Sequence, residues 1–282
     1  ETIQSVSNQT HPVDEILVID DGSTDDSATV ARSASPKVRV IRQDNAGESA
    51  ARNRGIDESS GDLLAFIDAD DIWEPDKIAR QVNTMKDEEC IGCCTGFYNF
   101  GSMEEEKVSR TQITDGISVE QFLIGFETNM STPLVFKKNC PQFAENVSHG
   151  EDTLFLMDIA CLGKLAYVPA PLVGYRRHQG GQSNSRVVPF NRYLSKRQWI
   201  DENTLFSPEV KAEHHRTNDQ TFIDFLHGSY YAGRVEQYLA LSRECVGKEL
   251  PQAVLAAASK SALALKLRKL LSKTFRTAKQ DR

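Results

Sequence analysis

An apolar run that leads directly into three carboxylates is the feature that most constrains this sequence. Leu63 to Ile67 has the length and composition of a buried strand. Asp68, Asp70 and Asp71 follow it at once. Carboxylates this close repel one another, so their burial is costly unless a cation lies among them. The stretch predicts a strand with a cation-binding edge or, alternatively, an acidic turn at the start of a solvated helix.

Two more predicted strands precede this stretch. Glu15 to Ile19 is nearly all apolar and ends at Asp20 and Asp21, and Val38 to Arg42 follows after a helical segment. A loop that enters a helix comes next, at residues 45–55. Alternating strands and helices predict an α/β fold with a mainly parallel sheet flanked by helices. Ligands of such sheets bind beyond the carboxyl ends of the strands, where both acidic turns fall.

The charge of the chain is unevenly distributed. The net charge is −7, but from Lys260 onward eight basic residues accompany one acidic residue. The remainder is therefore strongly acidic, which argues against nucleic acid as a partner. The tail has a leucine-rich face beside a basic face, typical of an amphipathic helix that binds an anionic membrane surface or a partner. Its leucines could instead pack on the protein itself.

The cysteines indicate a reducing environment. Their spacing shows no disulfide framework, and no second pair with metal-ligand spacing follows Cys90, Cys93 and Cys94. Ile91 to Phe100 is predicted to be a buried strand that uses cysteine as a small hydrophobic residue. The sequence contains no apolar run long enough to span a bilayer and no signal peptide. We therefore expect a cytoplasmic protein, with peripheral membrane contact through its tail.

Four stretches resemble the glycosyltransferases of family 2, which have the GT-A fold. In order, they are EILVIDDGSTDDS, NAGESAARNRGI, GDLLAFIDADDIWEPDKI and HGEDTLFLMDIA. Each is a weak signal alone, but four in the family's order and spacing are specific. The resemblance implies a GT-A domain at residues 1–188 that lacks the family's usual first strand. Apolar residues at helical spacing then predict a helical C-terminal extension at residues 189–282.

The resemblance also implies a site for a nucleotide-sugar donor. Asp20 or Asp21 would hydrogen-bond the base, Arg52 would hold base or phosphate, and Asp68 would approach the ribose. Asp70 would ligate Mn²⁺ or Mg²⁺ on the diphosphate, because a hard cation stabilises the charge that develops as the nucleoside diphosphate departs. The plainer interpretations are a helix-face salt bridge for Arg52 and turn chemistry for the two early aspartates.

Two later segments complete the implied site. Glu151 and Asp152 begin a helix, and the resemblance makes Asp152 the general base, with Glu151 as the next candidate. Both could instead be ordinary acidic partners of a helix N-terminus. Arg176 and Arg177 would bind anionic oxygens, and His178 would be a further metal ligand or a phosphate contact, unless it is simply solvated. Residues 129–132 would lie near the acceptor.

The resulting prediction is a metal-dependent, inverting glycosyltransferase. It would transfer a sugar from a uridine-diphosphate-linked donor to a hydroxyl acceptor in polysaccharide or glycoconjugate synthesis. One alternative is a non-catalytic nucleotide-sugar-binding protein or inactive fragment. Another is a nucleotide-sugar pyrophosphorylase, which would need a basic glycine-rich loop near the N-terminus that is not visible here. Without the usual first strand, we expect an exposed apolar strand edge beside Ile16 to Ile19, and weak binding of the nucleotide-sugar donor or aggregation as its consequence.

Overall fold

The computed structural model describes residues 1–87, 90–101, 107–108, 116–126, 128–147, 149–178, 188–231 and 234–259. It has two compact units, one of Glu1–Phe122 with Phe126–Gly181 and the other of Leu123–Gly125 with Gln182–Arg282. The predicted basic tail from Lys260 onward lies outside the described residues, so membrane contact through it stays a prediction. The predicted domain boundary after residue 188 also stays a prediction.

The first unit alternates strands and helices, as the sequence predicts. Its strands are β1 Ile16–Asp21, β2 Val38–Gln43, β3 Leu63–Ala65, β4 Ile72–Trp73, β5 Gly92–Gly101, β6 Lys107–Val108, β7 Leu134–Phe136 and β8 Leu165–Arg177. Its helices are α1 Thr2–Ser7, α2 Ser27–Ala34, α3 Glu48–Glu58, α4 Lys77–Asp87, α5 Val119–Leu123, which ends in the second unit, and α6 Glu151–Leu162. A 3₁₀ turn at Lys137–Asn139 follows β7.

The described strands form two sheets. Strands β1 and β2 pair in parallel from Ile16 opposite Val38 to Asp21 opposite Gln43. The larger sheet has the order β3-β7-β5-β8-β4, with β6 beside β5. Its longest pairing, β5 with β8, is parallel over ten residue pairs, whereas each antiparallel pairing has two or three. The predicted mixed, mainly parallel α/β class is therefore confirmed.

Strand β8 continues through two prolines. Its register against β5 shifts on either side of Gly96. Prolines at 169 and 171 lack an N–H, so the ladder is interrupted there without ending the strand. The alternative interpretation of the acidic turn, as the start of a helix, is wrong, because β4 follows the turn and α4 begins only at Lys77.

The core of the first unit lies between the sheets and helices α1 and α4. It includes Trp73, Val82, Leu134 and Val173, all of them buried. Cys93 and Cys94 are fully buried free thiols in β5, which confirms their predicted use as small hydrophobic residues. Many residues of the predicted site lie at or just beyond the carboxyl ends of β1, β3 and β8.

The described residues of the second unit are mainly helical. Its described helices are α7 Val188–Glu202, α8 Pro208–Tyr231 and α9 Val235–Cys245, followed by helical residues 252–259. Phe222 and Leu226 are buried in its core, and the Phe222 ring stacks on Tyr193 at 4.5 Å between centroids. Within the described part of the chain, no helix is long and apolar enough to cross a membrane.

Candidate active site

The acidic turn between β3 and β4 is held together by backbone contacts. The Asp71 N–H donates to the Asp68 carbonyl at 3.1 Å, which closes the turn. The Thr2 hydroxyl, on α1, reaches the carbonyls of Ala69 and Asp71 at 2.9 and 2.8 Å. Because the turn is anchored at both ends and from α1, its side chains leave it in defined directions.

Asp71 points into the protein. Its side chain is fully buried, where Oδ2 accepts from the Ser131 hydroxyl at 2.6 Å and Oδ1 from the Arg176 N–H at 3.0 Å. Burial raises the pKa of Asp71 to about 7, although both hydrogen bonds act in the opposite direction. One of the three carboxylates therefore belongs to the interior of the site and is closed to solvent.

Asp70 points outward and meets His178. Its Oδ2 lies 3.2 Å from His178 Nε2, and the two side chains are 44% and 49% exposed. The Arg176 Nε donates to the Asp70 carbonyl at 2.7 Å. The predicted metal ligands are thus adjacent and open to solvent, although they are 108 residues apart in the sequence.

Arg52 gathers the carboxylates of three segments. Its guanidinium nitrogens lie 3.1 Å from Asp68, 3.3 Å from Glu151 and 3.4 Å from Glu48. The helix-face salt bridge within α3 is present, but it is only one of the three. Burial acts against the charge of Arg52, yet the carboxylates outweigh it and raise its pKa. Arg52 therefore links α3, the acidic turn and the start of α6.

The acids around Arg52 outnumber it. Burial raises the pKa of Asp68. Arg52 acts to lower this pKa, whereas the negative charges of Asp152 and Asp70 act to raise it further. Burial likewise raises the pKa of Glu48. The neighbouring acids add to this increase, and Arg52 offsets only part of it. The cluster therefore carries an excess of negative charge that a ligand cation would relieve.

A phenylalanine cluster supports Arg52 from below. The Arg52 guanidinium lies 5.5 Å from the ring centre of Phe143, which stacks on Phe155 at 4.0 Å. Asn53, the next residue of α3, accepts from the Phe143 N–H at 2.6 Å and donates to its carbonyl at 3.0 Å. Asn53 thus fixes the backbone that carries the ring beneath Arg52.

Glu151 and Asp152 begin α6, as the sequence predicts. Gly150 precedes them with a φ of 94°, a left-handed conformation that suits glycine. Glu151 forms the ion pair with Arg52, whereas Asp152 Oδ1 accepts from the Thr153 N–H at 2.7 Å. Within the described residues no ion pair involves Asp152. The two neighbouring acids therefore have different surroundings.

The two early aspartates also differ. The Asp20 side chain is only 2% exposed and its Oδ1 accepts from the Ser23 N–H at 2.8 Å, which is turn chemistry. The half-buried Asp21 carboxylate accepts from the backbone N–H groups of Ala46 and Gly47 at 2.9 and 2.8 Å. Burial acts to raise the pKa of Asp21, but these hydrogen bonds prevail and lower it. Of these two aspartates, Asp21 is partly exposed and Asp20 is buried.

The two arginines at the end of β8 contact aromatic rings. The Arg176 guanidinium lies 4.3 Å from the ring centre of Phe100, and that of Arg177 lies 5.8 Å from Tyr175. Arg176 also binds the Asp70 carbonyl, so its side chain braces the acidic turn. Residues 179–187 lie outside the described residues.

Three contributors to this site were not singled out from the sequence. Glu48 belongs to the motif NAGESAARNRGI, in which the resemblance implies a role for Arg52 alone. Phe143 lies in a loop with no recognisable sequence pattern. Ser131 falls within residues 129–132, for which the resemblance implies only a position near the acceptor. A carboxylate four residues before Arg52 on a helix could have indicated Glu48. Nothing local in the sequence indicates the other two, because their roles depend on contacts with distant segments.

This combination of a mixed α/β unit, an acidic turn at the strand ends and a Glu-Asp helix start defines a glycosyltransferase of the GT-A type. The family model described as Glycosyl transferase family 2 matches residues 1–159. The chain therefore belongs to glycosyltransferase family 2. The pyrophosphorylase alternative is not supported.

Similar proteins agree with this assignment. An uncharacterized glycosyltransferase of Rickettsia conorii is 32% identical over 200 residues, which are 68% of this chain and 32% of that protein. The putative glycosyltransferase EpsH of Bacillus subtilis is 28% identical over 246 residues, 80% of this chain and 70% of that protein. The chain spans about a third of the length of the first of these relatives. The crystal structure of S. aureus TarS 1-349 in complex with UDP-GlcNAc superposes on this chain with a TM-score of 0.67 at 16% sequence identity. The match covers 91% of this chain and 76% of the TarS chain, and it shows that the two share a fold.

Proposed function

We propose that this protein is a metal-dependent, inverting glycosyltransferase that uses a uridine-diphosphate-linked sugar and a hydroxyl acceptor. The observation that carries the proposal is the division of the acids around Arg52. Arg52 pairs with Asp68 and Glu151, while Asp70 faces His178 and Asp152 stays outside these ion pairs. Displacement at a sugar carbon requires such a separation, because the leaving diphosphate needs positive charge and the attacking hydroxyl needs a base.

The nucleotide would lie across the carboxyl ends of β1 and β3. Asp21, the more exposed of the two early aspartates, would hydrogen-bond the nucleotide base. Its carboxylate is held by the N–H groups of Ala46 and Gly47, in the loop before α3. Asp68, partly exposed and paired with Arg52, is suited to a ribose hydroxyl. TarS, which has the same fold, has been crystallised with UDP-GlcNAc, and this favours a uridine nucleotide for the present chain.

The residues present fit a divalent cation bound together with a diphosphate. Asp70 and His178 offer one carboxylate and one imidazole 3.2 Å apart in an exposed position. Within the described residues no group of three or more ligating side chains occurs, so phosphate oxygens would complete the shell, as is usual for Mg²⁺. When bound there, Mn²⁺ or Mg²⁺ would neutralise charge on the departing diphosphate.

Asp152 is the general base of the proposal. It lies at the positive end of α6, close enough to Asp68 and Glu48 to influence the pKa of both. Glu151 is occupied by Arg52, so of the two neighbours Asp152 is the one whose carboxylate is open to an incoming hydroxyl. The proton of the acceptor would pass to Asp152 as the new glycosidic bond forms and the bond to the diphosphate breaks.

The first test is the release of UDP from a panel of UDP-sugars, with Mn²⁺ or with a chelator. Metal-dependent release supports the proposed activity. A protein that binds UDP in calorimetry yet releases none from any UDP-sugar, with or without acceptor sugars, would be a non-catalytic nucleotide-sugar-binding protein. Equal release with and without chelator would remove the metal from the mechanism.

A pair of isosteric variants tests the assignment of the base. Asp152→Asn keeps size and removes basicity, so UDP binding should persist while turnover falls by about 10²–10⁴-fold. Glu151→Gln should weaken the contact with Arg52 and reduce turnover less. If Asp152→Asn retains near-normal turnover, the base is elsewhere, with Glu151 as the first candidate. If the variant no longer binds UDP, Asp152 is structural.

A further inference from the structure

We propose that Asp71 and Ser131 are positioning residues that hold Asp70 and His178 in the geometry needed to bind a divalent cation. This inference rests on the proposed function, because it assigns the groups that support the proposed metal ligands. Neither residue would touch the cation. Both are fully buried beneath the acidic turn, so any effect they have on a ligand must pass through other residues.

The Asp71 carboxylate joins the two chain segments that carry the proposed ligands. Asp71 follows Asp70 directly, so its side chain fixes the turn from which Asp70 extends. Its Oδ1 accepts from the Arg176 N–H at 3.0 Å, at the end of β8 and two residues before His178. One carboxylate therefore ties the acidic turn to the strand end, and the separation between Asp70 and His178 depends on it.

The Ser131 hydroxyl fixes the other side of the same turn. It donates to Asp71 Oδ2 at 2.6 Å and accepts from the Asp68 N–H at 3.0 Å, so it spans the turn from its first to its last residue. The Ser131 backbone is itself anchored, because its carbonyl accepts from Trp73 Nε1 at 2.9 Å and its N–H donates to Asn129 at 3.0 Å. The hydroxyl is thus a rigid support for the turn.

The expected effect follows from what the hydroxyl satisfies. Ser131→Ala leaves a backbone N–H and one oxygen of a buried carboxylate without this partner, and the turn must shift to recover hydrogen bonds. Loss of a group that supports metal ligands typically weakens metal binding by about 10–100-fold. We expect a loss in this range for the cation and little change for nucleotide alone.

The experiment measures Mn²⁺ binding by the full chain in the presence of UDP, from the electron paramagnetic resonance signal of free Mn²⁺. Calorimetry with UDP in chelator and thermal unfolding are recorded for the same samples. Ser131→Ala and Asp71→Asn are the test variants and Asp70→Ala is the ligand variant. Thr95→Val, which removes a buried hydroxyl of the first unit that has no hydrogen-bond partner among the described residues, controls for the loss of a buried hydroxyl alone.

Support for the inference is a Kd for Mn²⁺ raised about tenfold or more by Ser131→Ala, with metal-free UDP binding close to that of the control and a Tm that keeps the variant folded at the assay temperature. Unchanged Mn²⁺ binding overturns it, and so does a parallel loss of UDP binding, which would indicate general damage. If Ser131→Ala does not fold, Asp71→Asn decides by the same criteria. If wild type binds no Mn²⁺ with UDP, or Asp70→Ala binds it normally, the proposed metal site itself is wrong and the inference falls with it.

Discussion

Replacing Lys77 by methionine should change how the stability of the protein depends on pH. The Lys77 side chain is fully buried, with Nζ 2.9 Å from Gln81 Oε1 and 4.1 Å from the ring centre of Trp73. Within the described residues no carboxylate forms an ion pair with it. Burial lowers the pKa of Lys77 from 10.5 to about 7. The folded state therefore favours the neutral amine.

The sign and size of the effect follow from this lowered pKa. A lowered folded-state pKa contributes stability that is present above pH 10.5 and is lost as pH falls to about 7. Each pH unit in this window is worth about 1.4 kcal/mol, or about 5 kcal/mol across all of it. The Trp73 ring favours the charged form by about 1–2 kcal/mol, which leaves about 3–4 kcal/mol.

The assay is urea unfolding at several pH values from 6.5 to 9.5. The chain has two tryptophans, so in a Trp199→Phe background the fluorescence reports on Trp73 alone. The free energy of unfolding of wild type should rise relative to Lys77→Met by about 2 kcal/mol or more from pH 7 to 9.5. Lys86→Met, at an exposed position of α4, is the control and should run parallel to wild type. Parallel curves for Lys77→Met would show that Lys77 is not buried as described.

Three further changes test the supports of the site. Asn53→Ala leaves the buried backbone N–H and C=O of Phe143 without these partners, so it should destabilise the chain by about 2–3 kcal/mol in urea unfolding. A loss below about 0.5 kcal/mol would contradict the contact between Asn53 and Phe143. Gly22 and Gly47 both have a positive φ, but a Cβ added at Gly22 would lie 3.0 Å from the backbone nitrogen of Asn45, whereas one added at Gly47 would meet nothing in the described part of the chain within 4 Å. Gly22→Ala should therefore lower the free energy of unfolding more than Gly47→Ala. Equal losses of stability would refute the close contact at Gly22. Arg52→Met should raise the pKa values of Asp68 and Glu48, both of which Arg52 lowers, in carbon-detected NMR titration. The exposed Arg54→Met should leave these two pKa values unchanged.

Much of the fold could be predicted from the sequence because its signals are local. Strands β1, β2 and β5 lie where apolar runs predict them, and Glu151 and Asp152 begin a helix as expected. The resemblance places most site residues at the strand ends, and the family match confirms the family. The metal, the nucleotide-sugar donor and the roles of individual residues stay predictions.

The structure decided which carboxylates are open to a ligand. Three acids in four residues look equivalent in the sequence, yet Asp71 is buried while Asp70 is exposed. The early pair divides in the same way, with Asp20 inside and Asp21 open. Local pattern cannot make this distinction, because burial depends on which distant segment packs against each side chain.

The sequence by itself determined the order of strands and helices and the acidic edge, since hydrophobic periodicity and turn chemistry act over a few residues. Only the tertiary structure decided the partners, because they come from far along the chain. Arg52 meets Glu151 across 99 residues, and Ser131 meets Asp71 across 60. Such contacts form when packing brings strand ends together, and they assign different chemistry to residues of the same type.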